Sequence, residues 1–247
     1  MIKQNNLTFS IDDDGGLTLV SCDLTATDVI IPAEVDGYPV AEIDEAAFKG
    51  CTELKTVKFP TSLALAEAGS YYFKIGDNAF EGCISLESVE IPDAVMSIGH
   101  GAFYGCRSLH SVTLPKCYVG PYAFAHCESL GLISNIATAS EGVFSHCKSL
   151  KYLPISENAG TISESSFEHC DALRDVTVPE GIKRIEPLAF RGCKNLKTVT
   201  FKVKEGWYGG NSHTGATYPI DVTDPERNAD RLKSMDFDEG QTAWKRD

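Results

Sequence analysis

No run of eighteen apolar residues occurs anywhere in these 247 residues, so no segment reads as a membrane-crossing helix. Basic residues are scarce. Lys plus Arg number 22 against 35 Asp plus Glu, for a net charge of −13. Phosphate binding draws on clustered Lys and Arg, and none cluster here, which excludes nucleic acid as a partner. C-x-x-C pairs are missing, and with them zinc ribbons and dithiol redox motifs. Also missing are Gly-x-Ser-x-Gly, His-Glu-x-x-His and a phosphate loop, so no nucleophile–base pair is visible and no cofactor is called for. Residues 1–6 are polar, without the apolar stretch and small-residue cleavage site of a secretory leader. No C-terminal anchor or lipidation motif follows. Disorder is excluded as well, because 43% apolar and 23% charged residues are ordinary globular proportions.

What the sequence does have is a repeat. Phenylalanines stand at Phe48, Phe80, Phe103, Phe124, Phe144, Phe167 and Phe190. Three residues after each comes a cysteine: Cys51, Cys83, Cys106, Cys127, Cys147, Cys170 and Cys193. A leucine follows three further on (Leu54, Leu86, Leu109, Leu130, Leu150, Leu173, Leu196), then Val57, Val89, Val112, Ile133, Leu153, Val176 or Val199. The cysteine spacings are 32, 23, 21, 20, 23 and 23. The segment L-x-x-V-x-I alternates as a strand with one buried face must. Its third apolar column is Phe59, Ile91, Leu114, Asn135, Ile155, Val178 and Phe201, and Pro60, Pro92, Pro115 and Pro179 end the strand. The preceding segment reads as one short helical turn. Its cap position holds Asp44, Gly76, Gly99, Gly120, Ser140, Ser163 or Glu186, mostly N-cap types.

No single unit can bury its own apolar face, so the units must stack into a solenoid. The unit Ile75-Gly76-Asp77-Asn78-Ala79-Phe80-Glu81-Gly82-Cys83-Ile84-Ser85-Leu86-Glu87-Ser88-Val89-Glu90-Ile91-Pro92, with Val29-Ile30-Ile31-Pro32 and Asp36-Gly37-Tyr38-Pro39-Val40 before it, resembles the BspA-like leucine-rich repeat family of bacteria, also called the leucine-rich repeat 5 family. The expected fold is one right-handed, curved leucine-rich repeat solenoid over 1–247, of α/β class, with short helical turns and a parallel β-sheet on its concave face. A β-hairpin cap covers 1–28, repeats cover 29–201, and an irregular C-terminal cap with a short helix covers 202–247. That helix starts at Asp224-Pro225-Glu226, and Phe237 and Trp244 are placed to close the core. The resemblance implies a surface-exposed or secreted protein that adheres to host or matrix proteins. An intracellular repeat scaffold is the alternative, and a sugar-processing or metal-dependent enzyme a remote one. Location is open between the cell surface and the cytoplasm.

Candidate sites are few. Outward positions of the strand face form two columns: Thr56, Ser88, Ser111, Leu132, Tyr152, Asp175, Thr198, and Lys58, Glu90, Thr113, Ser134, Pro154, Thr177, Thr200. These suit a protein or glycan partner, and Leu132 and Tyr152, apolar on adjacent rungs, are the natural anchors. The spacing of 32 marks an insertion at 61–74, whose Tyr71, Tyr72 and Phe73 either contact a partner or pack onto the convex side. The column cysteines read as buried thiols acting as small apolar residues. Cys22 and Cys117 lie off the column and are the reactive or crosslinking candidates. His126, His146 and His169 precede three consecutive column cysteines, where other rungs have Gly50, Gly82, Gly105 and Gly192. Left-handed backbone explains that position better than a metal site, and none is assigned. The acidic turns 12–16 and 236–240 lack calcium-loop spacing.

Overall fold

The computed structural model describes residues 1–13, 15–60, 73–134, 136, 140–153, 155–210, 214, 216–235 and 242–246. Tyr71, Tyr72, Asn135, Pro154, Phe237 and the acidic turn 236–240 lie outside the described residues.

Each rung has three parts. A front strand carries the L-x-x-V pattern, and these strands form a parallel ladder in the order Asp28–Ile30, Thr56–Lys58, Ser88–Glu90, Ser111–Thr113, Leu132–Ser134. Two more, Asp175–Val178 and Thr198–Phe201, pair with each other. Among the described residues, a back strand precedes the turn of six of the seven repeats. Tyr38–Ile43, Phe73–Ile75, Val95–Ile98 and Tyr118–Val119 form a second parallel ladder, and Thr161–Ile162 pairs with Arg184–Ile185 further on. The leucine-rich repeat solenoid is therefore the fold, with two parallel ladders rather than one.

Between back and front strand lies the turn. The segment expected to be a short helical turn is a run of hydrogen-bonded reverse turns, and the sole helix among the described residues is Pro225–Lys233. The reason is a left-handed residue two positions after the cap: Ala46, Asn78, Gly101, Tyr122, Gly142, Ser165 and Leu188 have φ between 52 and 62°. A residue with positive φ interrupts a right-handed helix. The backbone donors then alternate. The N–H groups of Lys49 and Cys51 donate to carbonyls three residues back, Ala46 and Phe48. Those of Ala46, Phe48 and Gly50 reach across to Asp77, Ala79 and Glu81 of the next rung. Turn and ladder bonds thus share one stretch of chain, and few polar backbone groups are left over.

The core follows from this register. All seven column phenylalanines and all seven column cysteines are 0% exposed. The phenylalanine rings form one continuous stack, with centroids 4.6, 4.9, 5.1, 5.8, 5.9 and 5.6 Å apart from Phe48 to Phe190. Each such pair adds about 0.5–1.5 kcal/mol beyond area burial. From Cys83 onward, each column thiol donates to the carbonyl of the phenylalanine one rung earlier, at 3.1–3.3 Å. A thiol is small and apolar enough for the core, yet it supplies a weak donor to a carbonyl with a lone pair to spare.

Both ends are covered. Leu7–Ile11 and Leu17–Cys22 form an antiparallel hairpin, and the second of these strands pairs with Tyr38–Ile43. At the other end Asp224 caps the helix, accepting from the N–H groups of Glu226 and Arg227 at 3.0 and 3.1 Å. Asn228 is fully buried and donates to the Val199 and Val222 carbonyls at 3.0 and 2.9 Å, which ties the helix to the last front strand. Trp244–Arg246 adds an antiparallel strand to the back ladder beside Arg184–Ile185, and Trp207 meets Phe201 edge-on at 4.9 Å.

Candidate functional site

The front ladder sets where its side chains go. Alternate residues of each strand face the core, so the residues between them face outward. Lys58, Ser88, Glu90, Ser111, Thr113, Leu132, Tyr152, Asp175, Thr177 and Thr200 are exposed, while Thr56 and Thr198 are half-buried. Most are short and polar, and neighbouring rungs are linked through them. The Thr56 hydroxyl donates to the Asp28 carboxylate at 2.6 Å, and that bond holds the Asp28 carboxyl below its usual range. Thr198 donates to Asp175 in the same way.

Leu132 and Tyr152 break this pattern. They are 65% and 71% exposed, and they sit on successive rungs. Tyr152 edges a shallow groove of about 330 Å³ with Lys151, Arg174 and Asp175. A larger groove of about 710 Å³ lies over the first rungs, lined by Thr56, Lys58, Phe59, Glu90, Ile91 and Asp93. Two outward residues escaped the sequence reading: Asp28 and Ile30, the latter 71% exposed. They belong to a strand preceding the first full repeat. Carrying the two outward columns one rung back, from Thr56 to Asp28 and from Lys58 to Ile30, would have found them.

Of the two readings open for Phe73, contact with a partner or packing down, its burial fits the second. It is 2% exposed in the back strand Phe73–Ile75, edge-on to Phe59 at 6.1 Å, so it is core and not a contact residue. It occupies the first inward position of that strand, and the alternation of the back ladder puts it inside.

His126, His146 and His169 do come together on adjacent rungs, each with left-handed backbone at φ 60, 62 and 56°. Their rings lie face to face with centroids 4.4 and 4.6 Å apart, and Tyr104 packs on the stack at 5.0 Å. A stack of this kind does not aim three lone pairs at one point. Among the described residues no three His, Cys, Asp or Glu side chains are grouped to hold a metal. Burial lowers the pKa of His126 and His146, and the flanking imidazoles lower that of His146 further. The acidic turn near residue 12 is internally satisfied, because the Thr18 hydroxyl donates to the Asp12 carboxylate at 2.9 Å.

Two covered ends, two parallel ladders and a Phe–Cys turn stack define a leucine-rich repeat solenoid. The chain belongs to the BspA type leucine rich repeat family, whose profile matches residues 22–74 and 73–197 in six copies. A leucine rich cell surface protein of Faecalibacterium prausnitzii is similar in structure, with a TM-score of 0.69 and 26% identity. The match covers 91% of this chain and 61% of that one, so this chain spans under two thirds of its neighbour's length. The T. pallidum leucine rich repeat protein is 27% identical, with a TM-score of 0.55 over 81% of this chain and 83% of its own. A Bacteroides ovatus leucine-rich repeat protein shares the fold at 24% identity and a TM-score of 0.53, over 82% of this chain and 71% of that one. No curated protein matches the chain.

Proposed function

We propose that this chain is a non-enzymatic protein-binding module acting at a cell surface or in the surrounding space, and that it engages its partner through the outward face of the front ladder. The observation behind this reading is the Leu132–Tyr152 pair, 65% and 71% exposed on successive rungs of a mostly polar face. Two large apolar side chains on adjoining rungs of a surface of short hydroxyls have the make-up of interface anchors. The scaffold is rigid through its hydrogen-bonded rungs, which keeps the ordering cost of binding low. The partner class is a host or matrix protein, with a glycan as the alternative that the hydroxyl columns suit. A surface setting is supported by the Faecalibacterium neighbour, itself a cell surface protein.

Two measurements test the reading. Binding to a panel of immobilised matrix glycoproteins should fall at least tenfold in the Leu132→Asp/Tyr152→Asp variant, while its unfolding free energy stays within about 0.5 kcal/mol of the parent. Equal affinity in that variant would remove the front ladder from the interface. Protease treatment of intact source cells should release peptides of this chain before lysis, and peptides appearing only after lysis would place it inside the cell.

A further inference from the structure

The thiol column has an exception at its N-terminal end. From Cys83 to Cys193 every column thiol finds the phenylalanine carbonyl of the preceding rung. Cys51 has no such phenylalanine before it. What precedes it is Leu17–Cys22, the last strand of the hairpin cap. The N–H of Cys22 donates to the Ala47 carbonyl at 2.9 Å. In later rungs that bond is made by the column phenylalanine, Phe48 to Ala79 and Phe80 to Ala102. Cys22 therefore stands at the backbone position that the column phenylalanine holds in later rungs.

Two thiols from neighbouring rungs are thereby brought together, one at a phenylalanine position and one in the cysteine column. The Sγ atoms of Cys22 and Cys51 approach the same acceptor, the Asp23 carbonyl, at 3.6 and 3.9 Å. Cys51 is buried and Cys22 is half-buried, so a reagent reaches the pair from one side only.

We infer that Cys22 and Cys51 are a disulfide-forming pair that locks the hairpin cap onto the first repeat when the protein meets a low-molecular-weight disulfide. One cysteine, as its thiolate, attacks the oxidant disulfide and releases one thiol. The other then attacks the mixed disulfide, forming the Cys22–Cys51 bond and releasing the second. The two electrons pass to the oxidant, and the two protons end on its two thiols. The cross-link would remove freedom from the unfolded chain at the end of the solenoid where fraying begins.

The test uses the full chain with Cys117→Ala, since Cys117 is the other half-buried thiol. Native protein is incubated with oxidised glutathione, trapped with acid, digested without reduction and analysed by mass spectrometry. The expected product is a peptide linking Cys22 to Cys51, with two fewer thiols titrated in denaturant. The melting temperature should rise by roughly 5–10 °C and fall back with dithiothreitol. A stable glutathione adduct on Cys22 with Cys51 free, a Cys51–Cys83 link, or recovery of both thiols reduced would each overturn the inference. In Cys22→Ser, which leaves the buried column intact, the oxidant should leave the melting temperature unmoved. A rise there would also overturn it.

Discussion

The two sides of the solenoid are not equally regular. On the turn side the phenylalanine stack and the thiol–carbonyl bonds run through every rung from Phe48 to Phe190. On the strand side, among the described residues, the front ladder runs to Leu132–Ser134, is followed by a bridge between Ile136 and Ile155, and resumes as a strand pair at Asp175–Val178. This stretch falls where the spacing is shortest, 20 residues from Cys127 to Cys147, and where the proline after the strand is lost. The stack feels it only as a loosening, from 4.6–5.1 Å over the first three ring pairs to 5.6–5.9 Å over the last three. The difference teaches that the turn, and not the strand, carries the identity of this repeat. A rung whose described strand residues form only a bridge is still held by its phenylalanine, its cysteine and the alternating backbone donors.

Substitutions on the two sides should separate accordingly. The largest effect is expected from Phe124→Ala, which opens a hole in the middle of the stack. It should cost about 3–5 kcal/mol, read as a lower urea midpoint at unchanged slope. Next comes a pair of glycines. A Cβ at Gly76 would lie 2.7 Å from the Asp44 and Glu45 backbone, whereas one at Gly131, on the strand side, meets nothing closer than the Ser149 carbonyl at 3.5 Å. Gly76→Ala should therefore cost about 1–3 kcal/mol and Gly131→Ala under about 0.5 kcal/mol. Equal costs would erase the comparison.

Acid should also act on the turn side. The folded-state pKa values of His126 and His146 lie below the ordinary value of 6.5, so the unfolded chain binds more protons in that window. Stability contributed by the neutral stack is full above the ordinary imidazole value and is lost as pH falls toward the lowered ones. The groups facing the stack are Tyr104, Arg107, Glu128, Lys148 and Glu168. Glu128 and Glu168 oppose the shift, and Arg107 and Lys148 reinforce it. Thermal melts between pH 7.5 and about 5.5 should show a falling melting temperature, with a flatter slope in His126→Gly/His146→Gly. A small effect, opposite in sign, is expected at Ala46, where φ is 58°. Ala46→Gly should stabilise by about 0.5–1 kcal/mol, because glycine takes the left-handed conformation without strain. A helical turn at this position would make the same change destabilising.

Much of this architecture is legible in the order of the amino acids. The Phe, Cys and Leu columns stand out because a solenoid core demands the same residue at the same depth in every rung. The outward columns follow from strand alternation. The back ladder is not legible, because its strands shrink to two residues at Tyr118–Val119 and Thr161–Ile162, too short for a periodic signal. The left-handed residue in each turn is hidden for a different reason. Its occupants include Ala46, Tyr122 and Leu188, residue types that carry no preference for that conformation, so the neighbouring rung and not the residue enforces it. Cys22 is marked in the sequence as a crosslinking candidate, but its register opposite the first repeat is hidden, because the rung it belongs to lacks the phenylalanine that marks the others.

The alternation of donors along each turn makes the molecule a ruler graduated in whole rungs. Every unit presents the same carbonyls behind it that it consumes in front. Excising residues 84–106, one period between successive column cysteines, would leave the Phe80 N–H facing the Ala123 carbonyl in place of that of Ala102, with the same partner type on offer. A cut of half that length would set turns against strands and strand every donor in the seam. Growth and shrinkage by duplication or loss of entire units is thus the inexpensive route for this architecture, and the reach of its front face changes in steps of one rung.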